Sequence, residues 1–233
     1  MQAATKLGHG TIRTLLCICI GRAAIESRLA KVDAPNVAPL NDWVRSIAAR
    51  GILPPASAET VPWFDPHSGG IEARVLLLLQ DPSGTASATR FISPGNNDPT
   101  ARCTTEACNE AGLDRGARLH WNVYPWWVNV PGGSKKKGRA LPDPTRPPES
   151  WLAARTTAAK LTGELFQLLP SLRVIVVLGK ETQAGFRAVM GAANPPPLHI
   201  RVLDGPSLSP PGYYSHRGEA IDVLRRASQL ASG

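Results

Sequence analysis

The sequence is poor in cysteine and has none of the cysteine spacings that mark a metal site. Its four cysteines are Cys17, Cys19, Cys103 and Cys108. Neither the first pair, one residue apart, nor the second, four residues apart, resembles a zinc knuckle or a redox pair. We therefore expect reduced thiols, a cytoplasmic protein and no cysteine-bound metal.

Long apolar segments are also missing. No stretch approaches the roughly 18–20 apolar residues that span a bilayer, so we expect no membrane partner. The short apolar stretch 15–20 is interrupted by Gly21 and Arg22, which makes it a poor signal peptide. We expect residues 1–27 to be an N-terminal extension, either poorly ordered or the product of a misplaced start codon. Residues 28–233 are then one domain, expected to be monomeric.

The sequence has an excess of positive charge and of the loop-forming residues proline and glycine. A net charge of +8 favours a polyanionic partner such as nucleic acid, although many basic proteins bind none. The 22 prolines and 21 glycines cluster between the periodic segments. That distribution predicts long ordered loops rather than disorder.

Apolar runs alternate with segments of helical periodicity along the chain. The predicted strands cover 73–79, 119–123, 173–178 and 198–203. The predicted helices cover 39–50, 99 to about 112, 150–169 and 216–230, with another after Gly179. This alternation predicts an α/β fold, a three-layer α/β/α sandwich around a four-stranded parallel sheet.

Polar residues follow the predicted strands at the sheet edge where parallel strands deliver functional groups. Gln80 and Asp81, held by Pro82, end the first strand, and Asn122 ends the second. The carboxylate can activate a water or only cap a turn, and the amide can pair with a nucleobase edge or only satisfy loop backbone. Phe91, on the loop between them, can stack on a planar ligand or belong to the core.

The loop after the fourth strand, residues 204–212, is rich in proline and serine. Its backbone N–H groups and hydroxyls can approach a phosphate closely, or it is a plain solvent loop.

Together these motifs resemble the uracil-DNA glycosylase superfamily. The resemblance rests on Gln80-Asp81-Pro82, on Asn122, on the apolar strand that ends at Gly179, and on the Pro-Ser-Leu-Ser-Pro loop 206–210. It covers roughly residues 37–230, and the segment 91–101 resembles a bacterial branch of that superfamily.

The resemblance implies hydrolysis of the N-glycosidic bond of uracil or another deaminated base, flipped out of single- or double-stranded DNA. It implies catalysis by Asp81, which activates the water, together with Gln80, and base binding by Phe91 through stacking and by Asn122 through the Watson–Crick edge. It further implies that four residues grip the DNA backbone: Ser83, Pro206, Ser207 and Ser209.

Two positions depart from the family pattern. Gly205 stands where the family normally has a histidine that hydrogen-bonds the departing base, and Leu79 stands where a glycine is usual. Losing one such donor costs on the order of 10²–10³ in rate. His199, His216 and Arg217 are candidate substitutes. The resemblance implies no cofactor, since most branches of the family use none and the cysteine spacings do not match the iron–sulfur branch, so no cluster is expected.

The basic run 135–139 follows the aromatic segment 124–127. It is either a solvated loop or a DNA-contacting segment.

Three functions compete for this sequence. The first is a DNA glycosylase, and the second is a catalytically weak DNA- or lesion-binding protein on the same fold. The third is a serine hydrolase using Ser83 or Ser207 with His199 or His216, which the lack of a Gly-x-Ser-x-Gly elbow disfavours.

Overall fold

The computed structural model describes residues 22–52, 61–126, 149–191 and 195–233, with side chains described from 154 onward in the third range. In chain order the elements are α1 (22–29), α2 (Ala38–Ala49), β1 (Trp63–Phe64), β2 (Val75–Leu79), α3 (Gly84–Thr89), β3 (Phe91–Ile92), α4 (Pro99–Glu110), β4 (Arg118–Asn122), α5 (Glu149–Gln167), β5 (Val174–Leu178), α6 (Lys180–Met190), β6 (Arg201–Gly205), α7 (Gly212–Ser215) and α8 (Arg217–Ser232).

The main sheet has four parallel strands in the order β4-β2-β5-β6. Leu79 at the end of β2 pairs with Asn122 at the end of β4, and Leu178 of β5 pairs with Gly205 of β6. The carboxyl ends of these strands therefore meet along one edge. This confirms the predicted α/β class and its parallel sheet.

Both faces of the sheet are covered because the strands are apolar on both sides. Leu76 and Leu78 of β2 face a cluster completed by α2, α5 and α6. Val75 and Leu77 face the opposite cluster, completed by α4 and α8. The helices on both faces form the expected layers.

Helix α4 begins as its sequence predicts. The Asp98 side chain accepts a hydrogen bond from the backbone N–H of Ala101, and Pro99 occupies the first turn, where its missing N–H costs nothing. This cap fixes the start of the helix beside the carboxyl edge of the sheet.

The fourth strand begins three residues later than predicted. Ile200 N–H closes a turn on the Pro197 carbonyl, 2.9 Å away, and Leu198 is fully exposed. Pairing with β5 starts only at Arg201. As an edge strand with mostly exposed residues, β6 lacks the apolar run of its neighbours.

Smaller elements were not foreseen from the sequence. β1 and β3 pair as a separate two-stranded parallel sheet, and α3 interrupts the predicted loop before Phe91. In α8, Ile221 and Leu224 are buried against the sheet, whereas Leu230 is 41 % exposed.

Residues 1–21 of the predicted extension lie outside the described residues, while 22–27 belong to α1. Among the described residues, no helix has the length and apolarity needed to cross a membrane.

Candidate functional site: a cleft at the carboxyl edge of the sheet

A cleft of about 1010 Å³ opens along the carboxyl edge of the main sheet. Its volume is at the upper end of the range for small-molecule sites, and it is large enough for a nucleotide. Seven of the eight residues predicted from the sequence line it: Gln80, Asp81, Ser83, Asn122, Pro206, Ser207 and Ser209.

Phe91 is the exception. The residue is fully buried in β3, and the Arg28 guanidinium lies over its ring, 5.0 Å from the ring centroid. Phe91 is not among the cleft-lining residues, and no ring face is open to a stacking ligand. The prediction that it stacks on a base is therefore not supported by this arrangement, in which Phe91 belongs to the core.

Gln80 extends β2 by one residue and turns toward α6. A Cβ added at Gly185 would lie 3.3 Å from Gln80 Oε1, so the helix leaves just enough room for the amide. Both amide atoms, Oε1 and Nε2, are buried without a hydrogen-bond partner. The backbone carbonyl of Gln80 accepts a hydrogen bond from the N–H of Tyr124, 3.0 Å away. Its side-chain amide, by contrast, can still form hydrogen bonds with a ligand.

Asn122 ends β4 on the opposite face of the sheet. Its pairing with Leu79 directs it toward the layer that contains α4. The residue is 3 % exposed, and Nδ2 has no hydrogen-bond partner. A buried amide donor at the floor of a cleft is a group that a ligand can satisfy.

His120 lies two residues before Asn122 on the same face of β4 and also lines the cleft. It is buried, and Nε2 lacks a partner. Burial, with the positive charge of Arg118, lowers its pKa to about 3, so the imidazole is neutral at physiological pH. Sequence reasoning missed this residue, although the period of two along a strand places it beside Asn122.

Asp81 follows Gln80 at the mouth of the cleft, where it is half-buried. Pro82 fixes the backbone after it, and Ser83 starts α3 by accepting a hydrogen bond from Ala86 N–H, 3.1 Å away. The turn therefore holds a carboxylate at the end of the central strand β2. This position suits activation of a water beside a bound ligand.

A buried ionic cluster supports the wall of the cleft behind Ser93. The Asp65 carboxylate accepts hydrogen bonds from Ser93 Oγ and from Arg115 Nη2, the latter at 2.8 Å. Burial raises the pKa of Asp65, but these contacts and the His67 N–H outweigh it and hold the pKa below its ordinary value. The carboxylate is thus ionised and fixes the loop that follows β3.

The opposite wall joins the loop after β6 to α4. Ser209 Oγ lies 2.9 Å from Thr100 Oγ1, and Ser207 Oγ accepts the Ser209 N–H at 3.1 Å. Gly179, with φ of 97°, brings the start of α6 against this loop, because a Cβ there would lie 3.3 Å from Ser207 Cβ. Hydroxyls and the start of α6 therefore converge on one rim of the cleft.

Gly205 cannot present a side chain to the cleft without rearrangement. A Cβ at this position would lie 3.2 Å from Leu178 Cδ2 and 3.3 Å from Val223 Cγ1, in the core beneath α8. The departure from the family pattern is therefore matched by local packing that leaves little room for a histidine.

Of the candidate substitutes, only His216 lines the cleft. Its Nδ1 lies 3.5 Å from Glu219 Oε2 at the exposed mouth. His199 is exposed and Arg217 pairs with Glu106 and Glu110, and neither lines the cleft.

The serine hydrolase arrangement has no support in the structure. Within the described ranges, no hydrogen bond joins Ser83 or Ser207 to a histidine. The oxygen of each accepts a backbone N–H, which is a turn or cap contact.

The aromatic segment before the basic run is largely core. Tyr124 and Trp126 are buried at 3 % and 2 % exposure and belong to the core. Trp127 and the basic run 135–139 lie outside the described residues.

The described residues contain no group of three or more histidine, cysteine or acidic side chains placed to hold a metal ion. Cys103 and Cys108 are buried free thiols, and Cys17 and Cys19 are outside the described ranges. In comparisons with known proteins, no family model and no curated protein matches the chain.

Proposed function

We propose that the protein is a DNA base-excision glycosylase, a hydrolase of the N-glycosidic bond of a flipped, deaminated base. The observation that carries this proposal is the set of buried polar atoms without partners at one edge of the sheet. Across the described residues, seven buried side-chain polar atoms lack a hydrogen-bond partner, and four belong to the cleft residues Gln80, His120 and Asn122.

Such atoms are costly. A buried polar group without a partner destabilises a fold by about 1–3 kcal/mol, so a concentration of them in one cleft favours a polar ligand that supplies the missing hydrogen bonds. Amides and a neutral imidazole both donate and accept, which suits the edge of a nucleobase.

The remaining groups fit a base attached to DNA. The base enters the floor near Asn122, its sugar lies at the mouth beside Asp81, and the flanking phosphates lie along the rim formed by Ser207 and Ser209. Asp81 activates the water and stabilises the positive charge that develops on the sugar. Because a base inside a duplex cannot reach this floor, the nucleotide is flipped out first.

A second candidate is a DNA- or lesion-binding protein that turns over slowly. It is favoured by Gly205, because this position carries no histidine to stabilise the departing base, and Leu178 and Val223 pack closely around it. The two candidates share the cleft and the base contacts, and they differ in turnover.

An abasic-site assay separates the candidates. Single- and double-stranded oligonucleotides carrying uracil, hypoxanthine or xanthine are incubated with the full chain at low salt. Strand scission after alkali at the modified position is the result that we expect. Tight binding without abasic product on every substrate would overturn the glycosylase and leave the binding protein.

A further inference from the structure

We propose that the amino edge of the main sheet is a second nucleic-acid-binding surface, which holds the phosphate backbone through Arg74, Arg173 and Arg201. This edge is the end of the parallel strands opposite to the cleft, and none of the three arginines lines the cleft. The inference therefore goes beyond the proposed function and does not depend on it.

The three arginines lie side by side on adjacent strands. Arg74 and Arg173 directly precede β2 and β5, and Arg201 is the first residue of β6. The N–H of Arg173 donates to the Arg74 carbonyl at 2.9 Å, and the N–H of Arg201 donates to the Arg173 carbonyl at 2.8 Å. Neighbouring strands lie about 4.8 Å apart, so the three α-carbons span roughly 10 Å of the edge.

The arginines flank the edge from both faces of the sheet. Arg74 and Arg173 precede the register partners Val75 and Val174, so they share one face, whereas Arg201 pairs with Val174 and lies on the other. All three are exposed. Because they lie at the ends of strands and the arginine side chain is long, a polyanion that lies across the edge can contact all three.

These side chains have no counter-ion in the protein. Within the described ranges, none of the three forms an ion pair or a side-chain hydrogen bond. Glu72 is the acidic residue nearest to Arg74 in the sequence, and its Oε2 accepts a hydrogen bond from Ser171 Oγ at 3.5 Å. The positive charge of the edge is therefore not compensated by the residues around it.

Several surface arginines elsewhere differ in this respect. Arg22, Arg45 and Arg225 each form an ion pair with an aspartate or a glutamate. At the amino edge, by contrast, like charges on neighbouring strands repel one another. Unpaired positive charges held this close together favour an anionic ligand.

A phosphate backbone is the anion that fits this surface best. The planar guanidinium binds phosphate with two parallel hydrogen bonds, and such contacts read no base sequence. A duplex carries one negative charge per about 1.7 Å of its axis, so an edge of roughly 10 Å faces several phosphates. The net charge of +8 adds long-range attraction for a polyanion. The surface therefore holds DNA without base specificity, whatever occupies the cleft.

The test measures how salt weakens the binding of an unmodified, fluorescein-labelled duplex to the full chain. The wild type is compared with an edge variant, R74Q/R173Q/R201Q, and with a lysine variant, R74K/R173K/R201K. Fluorescence anisotropy gives the slope of log affinity against log salt between roughly 50 and 200 mM. Single-turnover base excision is measured on the same proteins at saturating enzyme.

The control variant is R22Q/R45Q/R225Q. It removes the same number of positive charges from arginines that are paired with carboxylates and lie outside the cleft. It therefore separates the loss of net charge from the loss of this particular surface.

We expect the edge variant to reduce the magnitude of the slope by about 2.7, because each lost phosphate contact removes about 0.9. The lysine variant keeps the charges and should retain most of the slope. The control variant should change the slope little. Excision should be the same in all of these proteins, because the substituted residues lie outside the cleft.

Equal slopes for the wild type and the edge variant, or equal losses for the edge and control variants, would overturn the inference. A lysine variant with the full loss would show a structural effect and overturn it as well. Labelled polyglutamate that the wild type binds and the edge variant does not, with DNA binding unchanged, would assign the edge to an acidic protein segment instead. No excision together with the expected slopes would overturn the glycosylase and leave this surface in place.

Discussion

At the scale of single residues, His120 has a measurable consequence for stability. Its pKa is lowered to about 3 in the folded protein by burial and by Arg118, whereas an unfolded histidine titrates near 6.5. Below pH 6.5 the unfolded chain takes up a proton that the folded chain does not, so the free energy of unfolding falls as the pH falls.

The expected loss between pH 6.5 and 5 is about 1.6 kcal/mol, because the unfolded histidine is half protonated at pH 6.5 and almost fully protonated at pH 5. His120→Leu should lack this contribution. The measurement is urea unfolding of both proteins at several pH values, and a constant stability difference between them from pH 7.5 to 5 would contradict the buried, neutral histidine.

Asp65 makes a second prediction at this scale. Its side chain is 1 % exposed and pairs with Arg115 beside the buried Arg28. Asp65→Ala leaves these cations without their carboxylate and should lower the free energy of unfolding by roughly 3 kcal/mol.

The control is Asp42→Ala, whose carboxylate is exposed and pairs with Arg45 at the surface. It should cost less than about 1 kcal/mol. Both variants are unfolded with denaturant. Equal losses in the free energy of unfolding would show that the buried Asp65 contacts stabilise the protein no more than a surface ion pair does.

At the scale of elements, the connection from β5 to α6 depends on Gly179. Its φ of 97° with ψ of 148° is a conformation essentially restricted to glycine. Gly179→Ala should cost about 1–3 kcal/mol and, because the added Cβ meets Ser207, should also weaken DNA binding.

Gly218 in α8 is the matched control, since a Cβ there meets nothing within 4 Å and its φ is not positive. Gly218→Ala should stabilise the protein by about 0.5–1 kcal/mol. Thermal unfolding is measured for both variants. A Gly179→Ala variant as stable as the wild type would contradict backbone strain at the connection from β5 to α6.

Which elements the sequence predicts follows from their length and burial. β2 and β5 are five-residue apolar strands buried on both faces, and their positions were predicted closely. β1 and β3 have two residues each, too few for any periodicity. β6 is an exposed edge strand, so the apolar residues near 198–203 indicated the wrong start.

The same logic applies to the site. Gln80, Asp81 and Asn122 were predicted because they end apolar strands, and topology brings such ends together. His120 lies inside β4 between the core residues Leu119 and Trp121, so its position does not mark it in the way that a strand end marks Asn122. The core position of Phe91 could not be predicted, because the packing of Arg28 on its ring comes from a distant part of the sequence and leaves no local pattern.

At the scale of the whole molecule, the net charge of +8 bears on how DNA is bound. Phosphate contacts by basic side chains release counterions, so affinity for DNA should fall steeply and linearly in log–log form as salt rises. Fluorescence anisotropy between roughly 50 and 200 mM salt measures the slope. A flat dependence would contradict a DNA partner.

In the proposed function, the carboxyl edge of the sheet is a hydrolytic site in which Asp81 activates the water. The most direct measurement is the single-turnover rate of base excision, at saturating enzyme, for the wild type, Asp81→Asn and Asp98→Asn. Asp98 is a cleft carboxylate that caps α4, and asparagine preserves a cap. We expect Asp81→Asn to slow excision by about 10²–10⁴-fold and Asp98→Asn to change it little. Equal rates for the wild type and Asp81→Asn would contradict this role of Asp81.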